Sequence, residues 1–259
     1  MPEASDRAEL GVFGGSGFYA FLDDVEEVVL DTPYGPPSSP VAIGEVAGRR
    51  VAFLPRHGRN HEFPAHRVNF RANVWAFKEL GVHSVIGPCA AGSLQPHVAP
   101  GHFVVCDQLV DRTWGRPDTF FDGPTATHIT FADPYDEGLR QVLVASGRAL
   151  GLTVHAEGTV VVVQGPRFST RAESRWYARQ GWDVVNMTQH PEAALCRELD
   201  LRYATVALVT DYDAGVEADA RVEPVSQAQV FTFFRENLGL VRRLLFAALG
   251  EVPGPADPG

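Results

Sequence analysis

Short apolar runs alternate along the chain with longer segments whose apolar residues recur every three or four positions. The short runs predict β-strands, and several are nearly continuous in Val and Ile, as in strands buried on both faces of a sheet. The predicted strands are residues 10–13, 27–30, 41–46, 50–55, 83–87, 102–106, 159–164, 182–186 and 203–210. The longer segments predict helices at residues 65–80, 136–150, 171–180, from Pro191 onward, and 227–249. This alternation, without repeat or linker, predicts one α/β domain.

The ends of several predicted helices carry their own signals. Thr170 with Glu173, and Ser226 with Gln229, have the spacing of capping boxes, in which each side chain bonds the backbone of the other residue. A glycine, a common C-terminal stop, follows three helices at Gly81, Gly151 and Gly181. The helix boundaries are therefore expected close to these positions.

The composition predicts a globular protein with a full core, since 45% of its 259 residues are hydrophobic and 21% are charged. A net charge of −10 disfavours nucleic acid and anionic membranes as partners, because the overall field repels phosphate groups. We find no signal peptide and no apolar run of about eighteen residues, so a cytoplasmic location is expected. The polar residues 1–9 and the Pro- and Gly-rich residues 251–259 are predicted to be flexible tails.

Cysteine and histidine spacing predicts no metal site. The three cysteines are odd in number and form no C-x-x-C pair, so neither a disulfide framework nor a zinc site is indicated. His61 and His66 are one residue too far apart for H-E-x-x-H, and Pro64 stands between them. No metal and no cofactor are expected.

Polar residues follow two strands of the predicted sheet. Asn186, Met187 and Thr188 end one strand, and Asp211 and Asp213 end the next. Ligands of open α/β sheets bind at the carboxyl ends of strands, so these residues are expected to share a pocket. The alternative for the two aspartates is an ordinary cap or turn.

A glycine-rich turn at residues 14–17 follows the first predicted strand and includes Ser16. Such a turn exposes backbone N–H groups to an anion. Its spacing disfavours a dinucleotide fingerprint, because too little chain is left for the crossover helix. The alternative is a tight turn without a ligand.

Arg56 and His57 follow another buried strand and have the donors that suit phosphate. A solvated loop is the alternative for this pair. The small residues from Cys89 to Ser93 would let a ligand touch backbone, or would simply pack closely. Phe168 could stack on a flat ligand or fill the core.

Six motifs in this order resemble the trimeric nucleoside phosphorylases, and among them the 5'-methylthioadenosine phosphorylases. They are G-G-S-G at 14–17, R-H-G-R at 56–59, A-A-G-S-L at 90–94, Q-G-P-R-F-S at 164–169, N-M-T at 186–188 and T-D-Y-D at 210–213. The resemblance covers residues 10–249. It implies a single-domain nucleoside phosphorylase fold with a mixed central β-sheet flanked by helices.

The resemblance also implies a site. Phosphate, a co-substrate, would be held by Ser16, Arg56, His57, Ala90 and Thr188. The residues expected to bind the nucleoside are Cys89, Gly92, Phe168, Asn186, Met187, Gln227, Val230 and His128. His128 would come from a neighbouring subunit of a homotrimer.

The implied reaction is phosphorolysis of 5'-methylthioadenosine to adenine and 5-methylthioribose 1-phosphate. Asp211 is expected to donate a proton to N7 of the leaving adenine, with Asp213 as a second contact or as its orienting partner. Relatives that act on 6-oxopurines have Asn at the Asp211 position, so this chain is expected to prefer 6-aminopurines.

Three departures from the family pattern leave alternatives open. Cys89 replaces a phosphate-binding Thr, and Gln227 replaces an apolar residue of the 5' pocket. The Pro- and Gly-rich end replaces the family's longer C-terminal tail. The Gln189-His190 pair is also unlike the family pattern and has no assigned role. Adenosine, another 5'-modified adenosine or a 6-oxopurine nucleoside therefore remain alternative substrates. A nucleoside-binding module and a nucleosidase that uses water are further alternatives.

Overall fold

The computed structural model describes residues 7–15, 22, 24–214 and 225–254. Its strands are β1 (Leu10–Gly14), β2 (Glu26–Val28), β3 (Val41–Val46), β4 (Arg49–Pro55), β5 (Ser84–Ser93), β6 (Phe103–Val104), β7 (Gln108–Arg112), β8 (Val154–His155), β9 (Thr159–Val163), β10 (Val184–Asn186) and β11 (Arg202–Asp211). Its helices are α1 (Phe70–Glu79), α2 (Glu137–Ala149), α3 (Arg171–Arg179), α4 (Gln189–Glu198) and α5 (Gln227–Glu251). The expected α/β class is confirmed.

All the described strands belong to one mixed sheet. Eight of them form a continuous path in the order β2-β3-β4-β1-β5-β10-β9-β7. β5 is its centre: it pairs in parallel with β1 and β11, and then turns at Gly92 and Ser93 to pair antiparallel with β10. β6 pairs with β11 and β8 pairs with β6, off the main path. The mixed sheet with flanking helices is the predicted architecture.

The core lies on both sides of this sheet. One cluster of buried apolar side chains joins α1 and α4 to the sheet, and includes Phe77 and Leu195. Another joins α2 and α5 to the sheet, and includes Leu143, Phe234 and Leu245. β1, buried at every position, lies between these helical layers, which explains its unbroken apolar sequence.

The first predicted helix, 65–80, is wrong at its start. A 3-10 turn occupies Ala65–Arg67, and α1 begins only after Asn69, whose side chain accepts a hydrogen bond from Ala72 N at 3.3 Å. Asn is a favoured N-cap residue, so the regular helix begins here and not at Ala65. The capping boxes that open α3 and α5 are both present, as predicted.

The predicted tails, residues 1–9 and 251–259, reach too far into the chain, because the residues next to the domain belong to the fold. Ala8 is buried, and its N–H donates to Leu80 O at 3.0 Å. At the other end α5 extends to Glu251, and Val252 is also buried. Residues 1–6 and 255–259 lie outside the described residues. Within the described part of the chain, no helix is long and apolar enough to span a membrane.

Candidate active site

A cavity of about 350 Å³ opens at the carboxyl ends of β1, β4, β5, β9, β10 and β11, and the start of α5 contributes to its wall. It brings together almost every residue that the sequence predicted for the site: Arg56, His57, Cys89, Ala90, Gly92, Phe168, Asn186, Met187, Thr188, Asp211, Asp213, Gln227 and Val230. Ser16 lies outside the described residues. His128 is exposed and does not line this cavity.

Several lining residues were not predicted as binding residues. Among them are His61, Pro64, Ala65, Ser169, Thr210 and Phe231. Phe231 could have been found, because it lies four residues after Gln227 and therefore on the same helix face. His61 is brought to the cavity by a left-handed backbone turn, and its ring lies 4.9 Å from that of Phe231.

The Arg56 guanidinium is not a free fork for phosphate, which corrects the sequence interpretation. Its Nε and Nη2 donate to the two carboxylate oxygens of Glu192, at 2.5 and 2.8 Å. Both side chains are 1% exposed, and Tyr203 donates its hydroxyl to the same carboxylate at 2.7 Å. Burial alone would lower the pKa of Arg56, but Glu192 outweighs it and holds the pKa above its usual range. Nη1 donates to Pro88 O at 3.4 Å and has a second proton available to a ligand.

His57 has a defined tautomer. Its Nδ1 lies 2.8 Å from Phe63 O, and a carbonyl oxygen only accepts, so Nδ1 carries the proton. Burial, helped by the Arg56 charge, lowers the pKa of His57 to about 3. In the ligand-free protein the ring is therefore neutral, and Nε2 is an acceptor. Donation from Nε2 to a phosphate oxygen requires that the bound anion raise this pKa.

Cys89 and Gln189 form a buried polar contact beneath the cavity. Cys89 Sγ accepts from Asn186 Nδ2 at 3.3 Å and from Gln189 Nε2 at 3.5 Å. Thr205 Oγ1 lies 3.8 Å away and gives its own proton to Gly87 O, so the thiol proton is directed to Thr205. Burial raises the pKa of Cys89, which keeps the thiol neutral. Gln189 thus has a structural role that the sequence did not reveal.

Thr188 is available to a ligand because its side chain does not cap α4. The helical geometry of α4 is interrupted at His190, whose φ and ψ are −112° and 132°. Regular helix therefore resumes at Pro191, as the sequence predicted. The His190 ring lies 3.3 Å from Asp111, and burial lowers its pKa.

Asp211 and Asp213 form a compact acidic pair at the end of β11. Asp211 Oδ2 accepts from Thr210 Oγ1 and Oδ1 accepts from Asp213 N, both at 2.7 Å. Burial raises the pKa of Asp211 to about 6 despite these two hydrogen bonds. Burial also raises the pKa of Asp213, and the hydroxyls of Ser174 and Ser169 oppose that shift. A carboxyl group that titrates near neutrality is suited to proton donation.

Residues 164–168, here called the 164–168 loop, form the wall opposite β10. Phe168 is half-buried on the cavity rather than in the core. Gly165 has φ +64°, and a Cβ atom there would lie 2.6 Å from Met187 Sδ. Glycine, which has no Cβ and adopts a positive φ readily, therefore suits this close approach to Met187.

The remaining wall comes from the start of α5. Gln227, Val230 and Phe231 face the cavity, which makes this end largely apolar with one amide. Among the described residues, no three His, Cys, Asp or Glu side chains are grouped as a metal site.

Comparison with known proteins agrees with this geometry. The family model of the Phosphorylase superfamily matches residues 9–248. The chain is 55% identical to the S-methyl-5'-thioadenosine phosphorylase of Mycolicibacterium smegmatis, over 94% of this chain and 91% of that protein. It is 52% identical to the purine nucleoside phosphorylase of Streptomyces coelicolor, over 97% of this chain and 91% of that protein.

A solved structure is similar over nearly the same length. The methylthioadenosine phosphorylase of Schistosoma mansoni in complex with adenine has a TM-score of 0.90 and 38% identity, and covers 95% of this chain and 92% of that one. Family model, sequence identity and fold agree, and the chain belongs to the Phosphorylase superfamily.

Proposed function

We propose that the protein is a phosphorylase that cleaves 5'-methylthioadenosine with inorganic phosphate, giving adenine and 5-methylthioribose 1-phosphate. The observation that carries this proposal is Asp211, a carboxyl group with its pKa raised to about 6 in the same cavity as Arg56, His57 and Thr188. A proton donor for the base and a set of anion ligands are the two requirements of phosphorolysis. The M. smegmatis and S. mansoni relatives carry the corresponding name.

The chemistry divides between the two ends of the cavity. Cleavage of an N-glycosidic bond passes through a transition state with positive charge on the sugar. A phosphate oxygen forms the new bond to C1' while the bonding pair of the C1'–N9 bond moves into the base. Asp211 gives its proton to N7, so adenine leaves as a neutral molecule. Asp213 holds the Asp211 carboxyl through its backbone N–H.

The phosphate end offers hydrogen-bond donors to an anion. Nη1 of Arg56 supplies fixed positive charge, because Glu192 keeps the guanidinium in one orientation. Thr188 adds a hydroxyl. The Cys89 thiol is turned towards Thr205, which supports the expectation that it contributes less to phosphate binding than a Thr would.

The 5' end supports more than one substituent. Val230 and Phe231 favour an apolar methylthio group, whereas the Gln227 amide would bond a 5'-hydroxyl. A related S. mansoni protein is named adenosine/methylthioadenosine phosphorylase, and a variant of it was solved in complex with methylthioadenosine. The S. coelicolor relative is named a purine nucleoside phosphorylase. Adenosine is therefore the second candidate substrate, on the specific ground of Gln227.

Assembly, location and pathway are part of the same proposal. We infer a homotrimer in which His128 reaches a neighbour's 5' pocket, since this exposed residue lies away from its own cavity. A cytoplasmic role in purine and methionine salvage follows from the two products. Phosphate is a co-substrate, and no cofactor is required for the chemistry described.

The test is base release by the purified protein from 5'-methylthioadenosine, adenosine and inosine, each with and without phosphate. Adenine release from methylthioadenosine that requires phosphate is the expected result. Release without phosphate would replace the phosphorylase with a nucleosidase, and binding without release would indicate a sensor. A preference for inosine would contradict the role given to Asp211.

A further inference from the structure

Arg116 lies where two strands of the sheet separate to form the cavity. β9 and β10 pair in parallel up to Val162 and Asn186, and β7 pairs with β9 up to Val163. Beyond these residues the 164–168 loop and the segment 187–190 are no longer paired in the sheet, and both contribute residues to the cavity. Their backbone carbonyls need hydrogen-bond partners from outside the sheet, because an unpaired buried carbonyl is costly.

The Arg116 side chain provides those partners on both sides of the gap. Nη1 donates to Met187 O at 2.9 Å and to His190 O at 2.6 Å. Nη2 donates to Gln164 O at 2.8 Å and to Val163 O at 3.4 Å, and Nε donates to the Gln164 side chain at 3.2 Å. One planar cation thus joins the end of β9 to the start of α4.

The cation is fixed in place by its surroundings. Arg116 is 8% exposed, and its guanidinium carbon lies 5.6 Å from the ring centre of Phe70. Its hydrogen bonds within the described residues go to neutral oxygens. Burial lowers the pKa of Arg116 to about 10, so the group stays charged at neutral pH. A buried guanidinium with this many fixed acceptors has little freedom to move.

We propose that Arg116 is a positioning residue that sets the distance between the 164–168 loop and the Met187–Thr188 pair. This inference rests on the proposed function, and it takes Phe168 of the loop as the contact for the purine, and Met187 and Thr188 as the contacts for sugar and phosphate. Phosphate must attack C1' while the base leaves in the opposite direction, so the two walls must keep a fixed separation. An error of a fraction of an ångström in that separation affects the transition state more than it affects binding.

Arg116→Lys is the decisive variant. Lysine keeps the charge, but its single nitrogen cannot reach carbonyls on both sides of the gap. We expect kcat for phosphorolysis to fall about 30-fold, with KM for nucleoside and for phosphate changed by less than about threefold. Arg116→Ala is expected to lose more activity and to regain about tenfold on addition of guanidinium at non-denaturing concentration, but not of methylammonium.

Arg140 provides a matched control. It is also a mostly buried arginine that joins two backbone segments, with Nε 3.0 Å from Cys106 O and Nη2 2.6 Å from Ala156 O, and neither carbonyl belongs to the cavity. Arg140→Lys is expected to lower the melting temperature about as much as Arg116→Lys while leaving kcat within about twofold of wild type. A merely structural Arg116 would behave in the same way as Arg140.

The variants are assayed beside the wild type on methylthioadenosine, adenosine and inosine. If the wild type is active and Arg116→Lys keeps its kcat, the inference is overturned and the proposed function stands. If the wild type cleaves none of the three, the proposed function fails and the inference fails with it. If Arg116→Ala does not fold, the comparison of the two lysine variants decides alone.

Discussion

Replacement of Asp211 by Asn removes the proton donor and leaves the packing of the site intact. The oxygen of the new amide would keep the acceptor for Asp213 N, which now lies 2.7 Å from Oδ1. On the other side the Thr210 hydroxyl, no longer needed as a donor to a carboxylate, can turn to Ala91 O, 3.4 Å away. We therefore expect the loss of activity to be chemical and not structural.

The expected magnitude follows from the role of the acid. General acid catalysis contributes about 10²- to 10⁴-fold, so adenine release should fall at least about a hundredfold, or about 2.7 kcal/mol in activation free energy. With a pKa of about 6, the acid form of Asp211 becomes scarcer as the pH rises. In the wild type kcat/KM should fall about tenfold for each pH unit above 6, and the Asn variant should lack this decline.

The same substitution should stabilise the fold at neutral pH. The pKa of Asp211 is raised from 3.8 to about 6, so the folded state binds this proton more tightly than the unfolded state does. Stability from this group is present at acid pH and is lost as pH rises from 4 to 6, a difference of about 3 kcal/mol at pH 7. The melting temperature of Asp211→Asn should exceed that of wild type at pH 7.5, and the gap should close near pH 4.

The assay measures adenine release from methylthioadenosine and hypoxanthine release from methylthioinosine, both with phosphate. The Asn variant should favour the second substrate, because its amide can donate to O6. Asp183→Asn is the matched control: Asp183 also accepts a backbone N–H, from Thr159 at 2.8 Å, but lies outside the cavity. Unchanged adenine release by Asp211→Asn would refute the assignment of the acid.

Three further substitutions test other parts of the structure. Gln227→Leu should raise the ratio of kcat/KM for methylthioadenosine to that for adenosine about tenfold, because it removes a hydrogen bond to the 5'-hydroxyl; an unchanged ratio would place the 5' group elsewhere. Tyr203→Phe removes a hydrogen-bond donor to Glu192. It should lower the free energy of unfolding by about 1–3 kcal/mol in urea titrations and raise KM for phosphate. Wild-type values for both would argue against a role of Tyr203 in holding Arg56. Ser226→Ala breaks the capping box of α5 and should cost about 1 kcal/mol by thermal unfolding, whereas no change would mean that the first turn is held by other contacts.

The sequence was sufficient for features that depend on local pattern. Strand β3 was predicted at its observed bounds, and the capping boxes at Thr170 and Ser226 gave the starts of α3 and α5. The rule that polar residues at neighbouring strand ends share a crevice correctly placed Asn186 and Asp211 in one cavity. These predictions need only local patterns and a general rule for where ligands bind in open α/β sheets.

Features that depend on a distant partner were missed. β8 has only two residues, too few for a visible pattern. Glu192, 136 residues from Arg56, takes the guanidinium fork, and no local signal marks that pairing. The bonding of Arg116 to two separate strand ends is also long-range. Side-chain hydrogen bonds of this kind are set by tertiary geometry and not by spacing along the chain.

The meeting of β5 with two strands at Gly92 has a consequence for how the enzyme acquires activity during folding. Gly92 is paired with Val185 of β10 and with Asp211 of β11, which come from the last third of the chain. The pocket thus cannot exist in any folding intermediate that lacks these late strands, nor in an N-terminal fragment. Catalysis should return last during refolding, after the bulk of secondary structure, and enzyme activity should therefore report complete assembly of the sheet more strictly than circular dichroism does.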